Sequence, residues 1–190
     1  MINVTSTNVR TRLRYETRAA HEQLDDMVSH FDLTTQQGLA CFLQMQIRAF
    51  SSLQPHAHGA ACQAALGDLA HRANWDLARL EQPSQSPVQV AGSLHPFAID
   101  YVVAGSRLGT QVLKKRWLAT TDDRVREADA YFSAPAYIGV WKAFCAAAEA
   151  MSATGTIADT IIDDVHRIFA LYKECARASQ SERGTIVAGT

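Results

Sequence analysis

Hydrophobic residues recur every three or four positions along most of this chain, a spacing that places them on one face of an α-helix. No stretch alternates apolar and polar residues long enough to predict a β-strand. The pattern predicts six helices, over about Val9–Ser29, Thr35–Leu53, Ala57–Leu80 with a break near Gly67, Leu94–Trp117, a segment that begins near Pro135, and Thr156–Arg177.

Residues that favour helix ends support these boundaries. Asn8 or Thr7 suits the N-cap of the first helix, and Thr34 with Gln37 has capping-box spacing before the second. Residues 82–93 are rich in Pro, Ser and Gln and predict a loop. The helices on either side of it are too few to form separate domains. We therefore expect an all-α, single-domain multi-helix bundle over residues 1–178, with a flexible tail over residues 179–190.

Composition and charge exclude several classes of protein. The 190 residues contain 18 Lys and Arg against 19 Asp and Glu, without the basic excess of a nucleic-acid or acidic-membrane binder. No run of about 18 apolar residues predicts a membrane span, and the first residues lack a secretory signal, so we expect a cytoplasmic protein. No CxxC pair is present, which predicts buried, reduced thiols at Cys41, Cys62, Cys145 and Cys175.

His21 lies at the edge of the apolar stripe of the first helix, about 80° from Leu13 at 100° per residue. Asp25, one turn later, is within reach of its imidazole. Arg14 lies two turns earlier on the same edge. The pair has two interpretations: a His–Asp contact at a packing seam, which spacing alone favours, or a metal-ligating histidine oriented by a carboxylate.

Gly105 and Gly109 lie one turn apart in the helix predicted over residues 94–117, near the middle of its apolar stripe. Each glycine costs about 1 kcal/mol relative to alanine in a helix interior. Either another helix packs closely there, which spacing alone favours, or a flat ligand lies on the helix backbone.

Two segments resemble the heme oxygenase family. The stretch LRYETRAAHEQLD, residues 13–25, is similar to the proximal helix of that family, and DYVVAGSRLGTQVLKK, residues 100–115, to its distal helix. YFSAPAYIGVWKAFCAAAE, residues 131–149, and the final apolar helix resemble the rest of the bundle in the bacterial branch, some of whose members are encoded beside bacteriophytochromes. The resemblance implies a heme held between the two helices.

Carried over by position, the resemblance implies roles for single residues. His21 matches the histidine that ligates heme iron, Asp25 the acidic residue that steadies it, and Arg14 a partner of a heme propionate. Gly105 and Gly109 match the glycines that let the helix kink over the heme and leave room for bound oxygen, and Ser106 matches the position that orders water there for proton delivery. Further expected heme contacts are Tyr101 and Thr110.

Three residues depart from the family pattern. Many heme oxygenases have Gly in place of Thr110, whose β-branched side chain is expected either to narrow the pocket or to stiffen the kink of the helix. Mammalian members have Asp in place of Ser106, which does not ionise, although bacterial relatives often have Ser there. Ala104 occupies a position where the phytochrome-linked branch has Glu.

The implied activity is cleavage of heme, which serves as both substrate and cofactor, to biliverdin, CO and iron with O2 and external electrons. The chain has no flavin or nucleotide motif, so a ferredoxin, flavodoxin or reductase is implied as electron donor, and a bacteriophytochrome is a candidate partner. Lys114, Lys115 and Arg116 either dock an acidic redox partner or form a solvated helix end. Two alternatives stay open: a non-catalytic heme carrier or sensor, and a heme-free interaction module.

Overall fold

The computed structural model describes residues 8–187, with side chains through residue 181. This part of the chain is helical and contains no β-strand beyond one isolated bridge between Asn8 and Ser152. The elements are α1 (Val9–Glu16), α2 (Arg18–Ser29), α3 (Gln36–Leu53), a 3-10 turn (Gln54–His56), α4 (Gln63–Arg79), α5 (Pro96–Trp117), α6 (Asp123–Glu127), α7 (Ile138–Ala150) and α8 (Thr156–Val187).

Helix α3 is the centre of the core, and it packs against α4 on one side and α8 on the other. It is apolar over most of its surface, which is typical of a helix with neighbours on several sides. Helix α5 packs on α7 and α8. Cys41, Cys62 and Cys175 are buried, Cys145 is half-buried, and all four are free thiols. Burial raises the pKa of the Cys175 thiol to about 12, so this residue is a packed thiol rather than a reactive one.

The first predicted helix is in fact two helices, α1 and α2, because the helix is interrupted at Thr17. The Thr17 hydroxyl donates to the Leu13 carbonyl at 2.7 Å and lies 3.4 Å from the hydroxyl of Tyr101 on α5. Thr17 is 1% exposed. The break therefore sits where α1 and α2 meet α5, and the spacing estimated between Arg14 and His21 for one continuous helix does not apply.

Several predicted boundaries are confirmed and others are wrong. Asn8 is the N-cap of α1 and accepts from the Thr11 amide. The N-cap of α3 is Thr35, one residue later than the capping box predicted, and it accepts from the Gly38 amide. Helix α4 starts at Gln63, later than predicted, and continues through Gly67 without a break.

The last two helices also differ from prediction. Helix α7 begins at Ile138 instead of near Pro135, because Tyr137 adopts a left-handed conformation with φ of 50° and places its hydroxyl on Asp68 of α4. Helix α8 continues ten residues past the predicted end at Arg177, to Val187. The flexible tail over residues 179–190 stays a prediction, and residues 188–190 lie outside the described part. The loop over residues 82–93 is present as expected.

Three buried aspartates fasten loops to the helices around the cavity described below. Asp76 on α4 accepts from the amides of Ala130 and Tyr131. Asp100 on α5 accepts from the amides of Ala61 and Cys62. Asp164 on α8 accepts from the amide of His95, which is the N-cap residue of α5. Because carboxylates bonded to backbone amides hold those amides in place, α5 and the loop before α7 have fixed positions.

Candidate functional site

Helices α2 and α5 form the two walls of a cavity and run in the same direction. At one end the Thr17 hydroxyl, just before α2, contacts Tyr101 of α5. At the other end Arg116 of α5 donates from Nη2 to the carbonyls of Ser29 and Phe31, at 2.8 and 2.6 Å. Tyr101 and Arg116 are about 22 Å apart along α5 at 1.5 Å per residue. The two helices are thus tied at both ends and separated between the ties.

The space between them is a cavity of about 760 Å³. That volume falls in the usual range of cofactor and small-molecule sites, roughly 300–1,000 Å³. Its inner end is closed by Met45 of α3, Tyr131, and Phe169 and Tyr172 of α8. Most of the lining is apolar, and polar groups are few, which fits a large flat apolar ligand with a few anchored points.

His21 faces this cavity from α2. Its Nδ1 lies 3.2 Å from Asp25 Oδ2, and its ring meets the Phe169 ring edge-on at a centroid distance of 5.7 Å. The side chain is 56% exposed, because the cavity is open on this side. With Asp25 on Nδ1, the second ring nitrogen Nε2 is the one available to a metal. The structure thus brings together the predicted His21–Asp25 pair; the ligand role stays a prediction.

Gly105 and Gly109 both line the cavity from α5, which runs unbroken through them. A Cβ added at Gly105 would lie 3.2 Å from the Trp141 ring of α7, so close packing explains this glycine. A Cβ added at Gly109 would meet no atom within 4 Å, so no neighbouring side chain requires a glycine there. The helix-packing interpretation therefore accounts for Gly105 alone, and at Gly109 the backbone faces open space.

Of the three residues that depart from the family pattern, Ser106 and Thr110 lie on the cavity side of α5 and Ala104 lies on its core side. Ser106 lines the cavity, is exposed, and donates to the Val103 carbonyl. Thr110 also lines it, is 4% exposed, and donates to the Ser106 carbonyl. Ala104 is buried in the core and does not line the cavity, so its side chain cannot contact a ligand there.

Arg14 is exposed on α1 and does not line the cavity, whereas Tyr101 does. The propionate role of Arg14 stays a prediction. Sequence reasoning missed Trp141 and Phe169 as cavity residues and gave Arg116 no place in the cavity. The sequence analysis did not single out Phe169 within the last predicted helix, and it considered Arg116 only as one member of a basic cluster.

Two phenols close the inner end of the cavity in their neutral form. Tyr131 and Tyr172 are each 3% exposed, and burial raises the pKa of both hydroxyls. The Arg107 guanidinium lies 5.2 Å from the centre of the Tyr131 ring and donates to the Ala134 carbonyl. Since a cation over an aromatic face is attracted to it, Arg107 holds the Tyr131 ring in the cavity wall.

No protein-family model and no curated protein matches this sequence. Among solved structures, the fold matches the NO- and CO-bound heme oxygenase from Neisseria meningitidis with a TM-score of 0.62. The match has 20% sequence identity and covers 92% of each chain. The all-α bundle predicted from the sequence is confirmed, and it has the fold of that heme oxygenase.

In the described residues, no helix is both long and apolar enough to cross a membrane.

Proposed function

We propose that this protein is a heme oxygenase that binds heme between α2 and α5. The observation that carries the proposal is one cavity with His21 and its Asp25 partner on α2 and the open backbone of Gly109 on α5. The shared fold of a heme oxygenase over 92% of the chain supports it independently.

The residues present fit a heme. His21 would hold the iron through Nε2, while Asp25 orients the imidazole through Nδ1. Leu24 and Val28 on α2, together with Leu113 on α5, provide apolar walls for a macrocycle. The missing Cβ at Gly109 leaves the helix backbone open to a ligand's face. A heme, which is flat and carries iron, suits this arrangement.

A bound heme supplies the oxygen-activating and ring-opening chemistry. The residues of this chain bind the heme, orient it and shield it from bulk water. Helix α5, with Gly105 and Gly109 in the cavity lining, would form the wall over one face of the heme ring. Ser106 is exposed in the cavity and its hydroxyl donates to the Val103 carbonyl, so its oxygen would accept a hydrogen bond from a water that carries a proton along this wall. Phe169, Tyr131 and Tyr172 exclude bulk water from the inner end.

The finer assignment follows from the resemblance of the sequence to the bacterial branch. Under this assignment, the protein converts heme to biliverdin, CO and iron, and it receives electrons from a separate ferredoxin, flavodoxin or reductase. Supply of biliverdin to a bacteriophytochrome and a cytoplasmic location complete the proposal.

A non-catalytic heme carrier or sensor is the second candidate, and Thr110 is the observation that favours it. Its β-branched side chain lies in the cavity wall directly after Gly109, and its hydroxyl donates to the Ser106 carbonyl. A wall narrowed in this way leaves heme binding intact and restricts O2.

Hemin titration followed by ascorbate in air, with catalase present, tests the proposal. We expect a saturable Soret band that then decays to a broad red, biliverdin-like absorption. His21→Ala should lose the sharp Soret band, whereas His166→Ala, an exposed histidine outside the cavity, should match the wild type. A Soret band that survives reduction points to the carrier, with Thr110→Gly as the next variant. A wild-type protein with no saturable Soret band contradicts both heme functions.

A further inference from the structure

Arg107 is a buried arginine whose charge has no counter-ion among the described residues. It is 3% exposed, and no described carboxylate forms an ion pair with it. Its Nη2 donates to the Ala134 carbonyl, whereas Nε and Nη1 are enclosed and have no hydrogen-bond partner in the described part of the chain. A buried charge is usually paired, because removal of an ion from water is costly. The roles given above to the cavity residues leave this cation unused.

Arg107 lies beside the cavity without lining it. On α5 it stands between Gly105 and Gly109, two residues and about 3 Å along the helix axis from each. Its guanidinium carbon is 5.2 Å from the centre of the Tyr131 ring, and Tyr131 lines the inner end of the cavity. One aromatic side chain therefore separates the charge from the space between α2 and α5.

Asp25 and Arg116, the charged residues of the cavity lining in the described part of the chain, are more open to water than Arg107. The Asp25 side chain is 65% exposed, and Arg116 is half-buried. Burial raises the pKa of Tyr131 and the charge of Arg107 opposes this only in part, so the phenol between Arg107 and the cavity stays neutral. Water screens exposed charges strongly and enclosed charges weakly. The charge of Arg107 therefore reaches the inner end of the cavity with the least screening of the three.

We propose that the enclosed charge of Arg107 raises the reduction potential of the iron in the bound ligand. The inference rests on the proposed function, in which an external donor supplies one electron at a time to ferric heme. Each electron makes the ligand more negative by one unit, so a weakly screened cation stabilises the reduced, ferrous form. At an effective dielectric constant of about 20 and a separation of about 12 Å, one unit charge changes that equilibrium about tenfold. Arg107 contacts neither the iron nor O2, and it acts as a fixed charge behind the cavity wall.

Spectroelectrochemical titration of the hemin complex tests the inference. Arg107→Met removes the charge and keeps an unbranched side chain, and we expect the ferric–ferrous midpoint potential to fall by about 59 mV, the one-electron equivalent of a tenfold change. Arg107→Gln should lower the potential in the same direction, and it serves as a second neutral variant if the first does not fold. Arg107→Lys keeps the charge, so its equilibrium constant should stay within twofold of the wild type. Arg126→Met removes an exposed charge on α6, paired with Asp123 outside the cavity lining, and should leave the potential unchanged.

Salt distinguishes an enclosed charge from a charge at the surface. The fall in potential in Arg107→Met should persist from about 0.1 to 1 M KCl, because ions screen buried charges much less than exposed ones. Equal potentials in Arg107→Met and the wild type would overturn the inference, as would a difference that disappears at high salt. An equal fall in Arg107→Lys would also overturn it, since packing and not charge would then be the cause. Wild-type protein that binds no hemin overturns the proposed function as well, so the two failures are distinct.

Discussion

Replacement of Gly109 by alanine should stabilise the free protein and weaken heme binding. Gly109 is inside α5, and its added Cβ meets no atom within 4 Å. The free protein therefore gains the helix preference of alanine over glycine, about 0.5–1 kcal/mol, without a clash. A ligand that lies against the backbone at Gly109 meets the new methyl group, and overpacking of this kind costs about 1–3 kcal/mol, which corresponds to a Kd roughly 5- to 150-fold weaker.

Gly67 provides the matched control. It lies inside α4, a Cβ added there also meets nothing within 4 Å, and it does not line the cavity between α2 and α5. Gly67→Ala should therefore give a similar gain in the free energy of unfolding and leave hemin affinity unchanged. Urea unfolding of the free proteins and Soret titration with hemin measure the two quantities separately.

Two results would refute this reasoning. If Gly109→Ala binds hemin within twofold of the wild type, no ligand lies against the helix at that position. If Gly109→Ala destabilises the free protein while Gly67→Ala stabilises it, the space beside Gly109 is filled in solution. Gly105→Ala should show a smaller gain in stability than Gly109→Ala, because its Cβ presses on Trp141 at 3.2 Å.

Three further predictions concern the framework of the site. Burial raises the pKa of Asp76 to about 6, against about 3.9 in the unfolded chain, so the folded state binds more protons between these values and the stability that Asp76 contributes falls as pH rises from about 4 to 6. The free energy of unfolding in urea, measured for the wild type relative to Asp76→Asn, should therefore fall by about 2 kcal/mol over that interval. A difference that stays constant with pH would contradict the raised pKa. Gly38→Ala should cost at least about 3 kcal/mol in urea, since its Cβ would lie 2.0 Å from the Asp32 carbonyl oxygen, and a near-neutral effect would disprove that contact. Asp100→Ala should cost about 2–4 kcal/mol, because it leaves two backbone amides without their acceptor, and thermal unfolding equal to wild type would show that water replaces it.

The helices could be predicted because their apolar periodicity is local, but several ends depend on contacts that the sequence does not display. The break at Thr17 interrupts a continuous apolar stripe, and it occurs where the hydroxyl of Thr17 meets Tyr101, 84 residues later. The start of α7 is set by Tyr137, whose hydroxyl reaches Asp68 on α4. In both places a long-range contact overrides a local preference.

In the candidate site, too, some features follow from the local sequence and others depend on contacts with distant residues. His21 and Asp25 are one turn apart, so their contact follows from helix geometry alone. Gly105 and Gly109 have the same local pattern, yet one faces a tryptophan ring and the other faces open space. Only the neighbours from other helices distinguish them, so spacing left the packing and ligand interpretations open. The cavity role of Arg116 was hidden for the same reason, since it depends on where α2 ends.

The apolar side of helix α2 is only partly covered by the rest of the protein. It is amphipathic, with Leu24, Met27 and Val28 on its apolar side, yet none of its twelve residues is fully buried. A helix of that length is marginal alone and depends on packing of its apolar face. Part of that face lines the cavity, so heme would provide the missing contact and stabilise α2 by mass action. Under the proposed function, ligand binding and order in α2 would therefore be linked, because the helix that carries His21 would gain packing from the ligand that His21 binds.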